Sequence, residues 1–187
     1  MLIVYFLIIS IILGFIRKGN ILGLADLNLK YLPCVFIAFL IEASISYITP
    51  PSPIYGRIML MGFVSVEYSF LFYFIWMNRS QHEILIMGVG ILLNFMAIIF
   101  NHGSMPISDY IYKLPALVDK IAVIQKSLMP EYIVITKDVS LWFLGDIFYV
   151  PIPTSTFMSV GDIPLGVGAF LLVQNAMLSF RQKKKSN

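Results

Sequence analysis

The sequence predicts an all-α membrane protein: a five-helix transmembrane bundle with a partly helical extracytoplasmic lid, in one domain covering residues 1–187. Three observations lead there. The chain is 59% hydrophobic and only 12% charged, about half of the roughly 25% that coats a soluble domain. Its mean hydropathy is +0.87. Five apolar stretches reach or approach the roughly 20 residues a helix needs to cross hydrocarbon, and no internal repeat suggests another architecture.

Those stretches are Leu2 to Ile16, Leu32 to Thr49, Ile58 to Met77, Ile84 to Phe100 and Pro164 to Phe180. The first has signal-peptide length, but it lacks a basic leader, and Arg17 and Lys18 follow the apolar run instead of preceding it. An uncleaved helix with its N-terminus outside is expected. The inner face then collects Arg17, Lys18, Lys30, Arg79, Arg181 and Lys183 to Lys185. The outer face holds Arg57, plus Lys113, Lys120, Lys126 and Lys137 within one long loop. Long loops count little toward the positive-inside bias, so the short loops place the C-terminus in the cytoplasm. The tail Arg181-Gln182-Lys183-Lys184-Lys185 suits a cytoplasmic anchor on anionic headgroups. The expected location is the cytoplasmic membrane of a bacterium, with the lipid bilayer as first partner.

The connections differ in kind. Pro50, Pro51 and Pro53 predict a stiff external turn between the second and third stretches. NRSQHE is a short solvated turn on the cytoplasmic side, with His82 in water. GNILGLADLNLKY is expected to rest on the inner interface as an amphipathic piece. Residues 101–163 form the lid. They are too rich in Ile, Leu, Val and aromatics to be disordered. From Tyr110 to Leu128, apolar residues including Ile111, Leu114, Leu117, Ile121 and Ile124 recur at helical spacing, with Pro115 as a kink or first turn. EYIVIT predicts a strand or extended piece. VSLWFLGDIFYVPIP carries the aromatics of a membrane interface.

Polar residues within so apolar a chain are the candidate functional groups. Glu42 and Glu67 fall inside the second and third stretches, about 10 and 14 Å from the external turn at 1.5 Å per residue. An ionised carboxylate at such depth is costly, so each is neutral, paired or facing a polar cavity; if they face one another, they form a proton or cation site. Asn94, Gln174 and Asn175 offer amides, most simply as bonds between helices. Two Gly-Asp pairs bracket the end of the lid, Gly145-Asp146 and Gly161-Asp162. Asp162 is expected as N-cap of the last helix, with Pro164 in its first turn. Asp146 is either a turn residue or points into a polar pocket.

Other chemistries find no support. Basic residues are not interleaved with aromatics as a nucleic-acid surface requires. A single cysteine, Cys34, allows neither an internal disulfide nor a CxxC pair and is expected as a packing residue. His102 with Asp146 and Asp162 could supply metal ligands, but no HExxH or paired-histidine spacing demands it, and no Walker loop, GxGxxG unit or nucleophile elbow is present. No cofactor or metal is expected.

Asn94, then NHGSMPIS, LWFLGDIF and PIPTSTFMSVGDIPLGVG occur in that order near helix ends. This resembles the bacterial membrane family of unknown function DUF5317. Its pattern has an Asn in the fourth helix, an N-x-G-x-M-P turn, an L-G-D segment and an S-x-G-D approach to the last helix. Asn94, Asn101, Gly103, Met105, Pro106, Leu144, Gly145, Asp146, Ser159, Gly161 and Asp162 match it, and RKGNILGLADLNLK is similar to the family's basic turn and Leu-rich piece. The resemblance implies a small polytopic membrane protein and assigns no activity. Glu42 and Glu67 lie outside the motif.

The expected function is binding, or help in transporting, a small polar or cationic ligand at the outer face. Asn94 and Asn101 would donate and accept hydrogen bonds, Gly103 would let backbone approach closely, and Asp146 and Asp162 would supply negative charge, with Met105 a further ligand-binding candidate. One alternative is an accessory or scaffold subunit that docks another membrane protein through the lid around Leu117 to Ile124. The other is an intramembrane enzyme with Asp146 and Asp162 as acid and base.

Overall fold

A computed structural model describes the chain except for Met1, Ser46, Thr49, Val118, residues 120–125 and 127–130, Pro153, Thr154 and Asn187, and the side chains of Leu2, Ala116 and residues 180–186. Five α-helices lie among the described residues: α1 (Leu2–Ile16), α2 (Pro33–Ile45), α3 (Pro53–Met77), α4 (His82–Ile99) and α5 (Asp162–Ser186). Among the described residues three regions are long and apolar enough to cross a membrane: α3, α4 and the Asp162–Ser179 part of α5. Of the other two, α1 has the bounds expected of it and α2 is shorter than expected. α2 ends at Ile45, ahead of the Pro-rich turn, so at 13 residues it spans only about 20 Å. α3 instead starts earlier than Ile58, because Pro53 takes the N1 position, where its missing N–H leaves no bond unmade.

The helices pack as an up-and-down bundle with α1 added parallel to α5. Phe95 of α4 stacks against Tyr68 and Phe72 of α3, with ring centroids 5.0 and 5.4 Å apart. The end of α2 packs through Ile45 on Leu60 and Val64, and its start through Cys34 on Phe74, which makes α2 and α3 antiparallel. Polar side chains tie the rest. Ser10 Oγ donates to the Phe170 carbonyl at 2.8 Å, Arg17 donates to Gln174 at 2.9 Å, and Asn175 donates to Glu83. Gln174 and Asn175 thus serve between helices, as their amides suggested. Large apolar side chains lie on the outside, Phe39, Leu40, Ile58 and Trp76 all being more than 60% exposed.

At one end of the bundle stands a four-stranded sheet, which corrects the all-α expectation. Its strands are β1 (Met105–Ile107), β2 (Tyr132–Val134), β3 (Asp146–Val150) and β4 (Thr156–Ser159), in the order β2-β1-β3-β4. β1 runs parallel to both neighbours, and β3 and β4 form an antiparallel pair. EYIVIT is therefore a strand, but DIFYV and TFMS are strands as well. Ile107, Ile111, Leu117 and Phe157 build a small core beneath it. The helix expected over Tyr110 to Leu128 begins instead as two 3-10 turns, Asp109–Lys113 and Pro115–Leu117; most of its remainder lies outside the described residues. The expected amphipathic piece after α1 is a 3-10 turn, Ile21–Leu24.

Two asparagines lock the helix ends. Asn78, closing α3, donates to the carbonyls of Phe74 and Lys30, both at 2.8 Å, and accepts from Lys30 N at 2.9 Å. Asn101 does the same beyond α4. It donates to Ala97 and Ser140 carbonyls, both at 2.7 Å, and accepts from Ser140 N at 3.0 Å. Each bonds a carbonyl of the last helical turn and fastens a loop backbone by both of its polar groups. After Asn101, bonds from Gly103 N to Ile98 O and from His102 N to Ile99 O make a Schellman end, with His102 left-handed at φ 56° and Gly103 at φ 92°.

Candidate functional site

The site is assembled where α4 meets the start of α5. Gly90 and Gly161 face each other there so closely that a Cβ on either would strike the other's backbone oxygen. That approach brings Asn94 to the β4–α5 turn. Its amide donates to Asp162 Oδ1 at 3.2 Å, and its carbonyl oxygen accepts from Ser159 Oγ at 2.8 Å. Ser159 N donates to Asp162 Oδ2 and Asp162 N donates to Ser159 Oγ, both at 3.0 Å. This reciprocal pair is a capping box. The expectation of Asp162 as N-cap is corrected: Ser159 supplies the capping hydroxyl and Asp162 closes the box from the third position. The Val160 carbonyl, which Pro164 has no N–H to reach, accepts from Ile163 N at 3.4 Å instead.

Asp146 opens β3, directly after Gly145, whose backbone presses on Pro106 of β1. It pairs with Ser159 across the β3–β4 ladder, and its carbonyl accepts from Ser108 N at 3.0 Å. The residue is 9% exposed. Among the described residues nothing donates a hydrogen bond or forms an ion pair to its carboxyl group. Burial first, and the nearby Asp162 carboxylate second, push that group up to about 7.

Asp146 and Asp162 line one cavity of about 290 Å³ with Glu42, Glu67 and Asn94. Gly103 and Met105 roof it, where Leu60 and the Met61 backbone fill the space a side chain at Gly103 would need. All five helices contribute to the wall, Ile3 and Leu165 standing for α1 and α5. Glu42 lies three residues before the end of α2, about 5 Å along the axis, and Glu67 lies fourteen residues into α3, about 21 Å. The similar depths read from the sequence are corrected by the moved helix ends, yet both carboxyl groups reach the same cavity. Glu131, Tyr68 and Tyr132 also line it. Sequence reasoning misses all three: Glu131 carries no motif, Tyr68 is one aromatic among many in an apolar stretch, and Tyr132 falls in the piece expected as a strand.

Asn101 is not part of this wall. Its buried amide is fully engaged with Ala97 and Ser140, and it borders a second cavity lined also by Tyr132, Ile133 and Val134 of β2. Among the described residues, no group of three or more His, Cys, Asp or Glu side chains is arranged to hold a metal ion. The acidic cavity has no Lys, Arg or His among its described lining residues.

A family model described as a family of unknown function, DUF5317, matches residues 26–174. The chain belongs to this family. No curated protein and no solved structure matches it. The DUF5317 match runs from just after the first 3-10 turn to the middle of α5, and so takes in residues from every helix of the acidic cavity except α1.

Proposed function

We propose that this DUF5317 protein is an integral membrane protein that binds a small organic cation, an amine or alkylammonium, in the acidic cavity beneath its lid. The observation that carries this reading is Asp146: a residue only 9% exposed, whose carboxyl group takes no donor from the described residues and is reached from a cavity shared with four other carboxyl side chains and no basic one. A buried charge without a partner is costly, so a mobile cation is the natural complement to it. The carboxyl groups are spread around the wall instead of converging as a metal's ligands do, which favours diffuse positive charge. Tyr68, Tyr132 and Phe157 add aromatic faces of the kind that attract alkylammonium groups.

The bundle crosses the bilayer with the lid outside and the basic tail in the cytoplasm. A cavity reaching down to Glu67 lets α1 and α2 be short, because the lid end is a polar recess and not hydrocarbon. The test is thermal unfolding of the detergent-purified protein with tetramethylammonium as probe and acetate as control. Tetramethylammonium raises the melting temperature of the wild type at pH 8 and leaves Asp146→Asn unmoved. A variant that melts earlier than wild type at pH 8, with the probe response intact, sinks the proposal and makes Asp146 structural.

A further inference from the structure

The second cavity, about 380 Å³, lies between α3, the end of α4 and the loop clasped by Asn101. Its ionisable side chains come from three different elements. Arg57 projects from the second turn of α3, His102 sits at the Schellman end of α4, and Asp138 belongs to the turn before Ser140. Because Asn101 bonds both backbone groups of Ser140, the Asp138 turn is held in place against α4. Arg57 and Asp138 line one cavity without pairing: among the described residues neither side chain forms a hydrogen bond or ion pair, with the other or with a third group. Two opposite charges that share a recess without pairing are complementary to a ligand that carries both signs.

We propose that this cavity binds a phosphoethanolamine-type headgroup, its phosphate on Arg57 and His102 and its ammonium on Asp138. The guanidinium fork matches phosphate oxygens, and an imidazole N–H adds a donor beside it. The ammonium group has the Asp138 carboxylate as its partner. Volume agrees, since 380 Å³ stands at the small end of the roughly 300–1,000 Å³ of ligand pockets. The same chemistry could come from a lipid or from a free phosphoamine. Phe100 and Tyr112, 59% and 51% exposed on the rim, supply apolar surface for acyl chains and favour the lipid. The chemistry is independent of the acidic cavity; the lipid source rests on the membrane reading above.

The experiment uses the full chain in mild detergent and native mass spectrometry with equimolar phosphatidylethanolamine and phosphatidylglycerol of matched chains. The wild type retains the ethanolamine lipid in preference. Arg57→Gln lowers retention of both lipids about tenfold, as loss of a charge-assisted bond should. Asp138→Asn reverses the preference toward phosphatidylglycerol. Both side chains are exposed and unpartnered among the described residues, so melting temperatures should be unchanged and serve as the folding control. Free phosphoethanolamine is the second arm. If it displaces the lipid at millimolar concentration, the headgroup alone carries recognition; if it does not, the bilayer is the source. Equal retention of the two lipids, or wild-type preference kept in both variants, overturns the proposal.

Discussion

Replacing Asp146 with Asn tests the acidic cavity through its own energetics. Burial pushes the folded carboxyl group up to about 7 from an ordinary value of 3.8, which corresponds to roughly 4 kcal/mol between the two protonation states. The direction follows from which state holds the proton. Below pH 3.8 both states are protonated and the shift has no effect on stability. Between 3.8 and about 7 the unfolded chain loses the proton while the folded one keeps it, so wild-type stability falls as pH rises. Above about 7 both are ionised and the full penalty, about 4 kcal/mol, remains. The amide of the Asp146→Asn variant has no proton to lose. Melting temperatures of the two proteins should therefore nearly coincide at pH 4 and diverge in favour of the variant toward pH 8. For a chain of this size the gap corresponds to roughly 10 °C. Cation binding should show the complementary trend in the wild type: affinity for tetramethylammonium rises about tenfold per pH unit up to about 7 and then levels, because the cation displaces the proton. A melting difference that does not vary with pH, or one that grows in favour of the wild type, would refute the burial argument.

Three further perturbations address how the site is held. Asn101→Ala removes three hydrogen bonds and strands the Ser140 backbone and the Ala97 carbonyl; a loss of about 3 kcal/mol in denaturant unfolding is expected, with tetramethylammonium binding retained in the folded fraction. His102→Gly relieves a left-handed histidine and should stabilise by about 1 kcal/mol, while weakening retention of the ethanolamine lipid. Gly161→Ala drives a methyl group into Asn94 and the Gly90 carbonyl; unfolding should become easier by about 2 kcal/mol, and hydrogen exchange at the start of α5 should accelerate. An unchanged exchange rate would mean that the two helices tolerate separation there.

The helices are legible in the sequence and their ends are not. Apolar runs mark α3, α4 and α5 because a stretch that long has few other ways to satisfy its backbone. The end of α2 is hidden because Tyr47 and Ile48 carry the apolar run past Ile45, and the start of α3 because Pro53 reads as a breaker although it sits at N1. The sheet is hidden for a different reason. Its strands are three to five residues long, too short for alternation to separate them from interface aromatics, and β1, β2 and β3 pair with segments distant in sequence. The polar groups divide similarly. Asp146, Asp162, Asn94, Glu42 and Glu67 stand out as unusual residues in an apolar context. Asn101 looks equivalent to Asn94, and only its partners distinguish a backbone clasp from a cavity wall.

Composition and the length of apolar runs suffice to mark helices long and apolar enough to cross a membrane, since burying backbone in apolar surroundings depends on local bonds that each segment makes alone. Which carboxyl groups share a recess is a property of long-range packing. It is decided by two glycines that let α4 and α5 touch, by a short α2, and by strands that carry Asp146 over the helix ends. None of these distances is encoded within any single window of the chain.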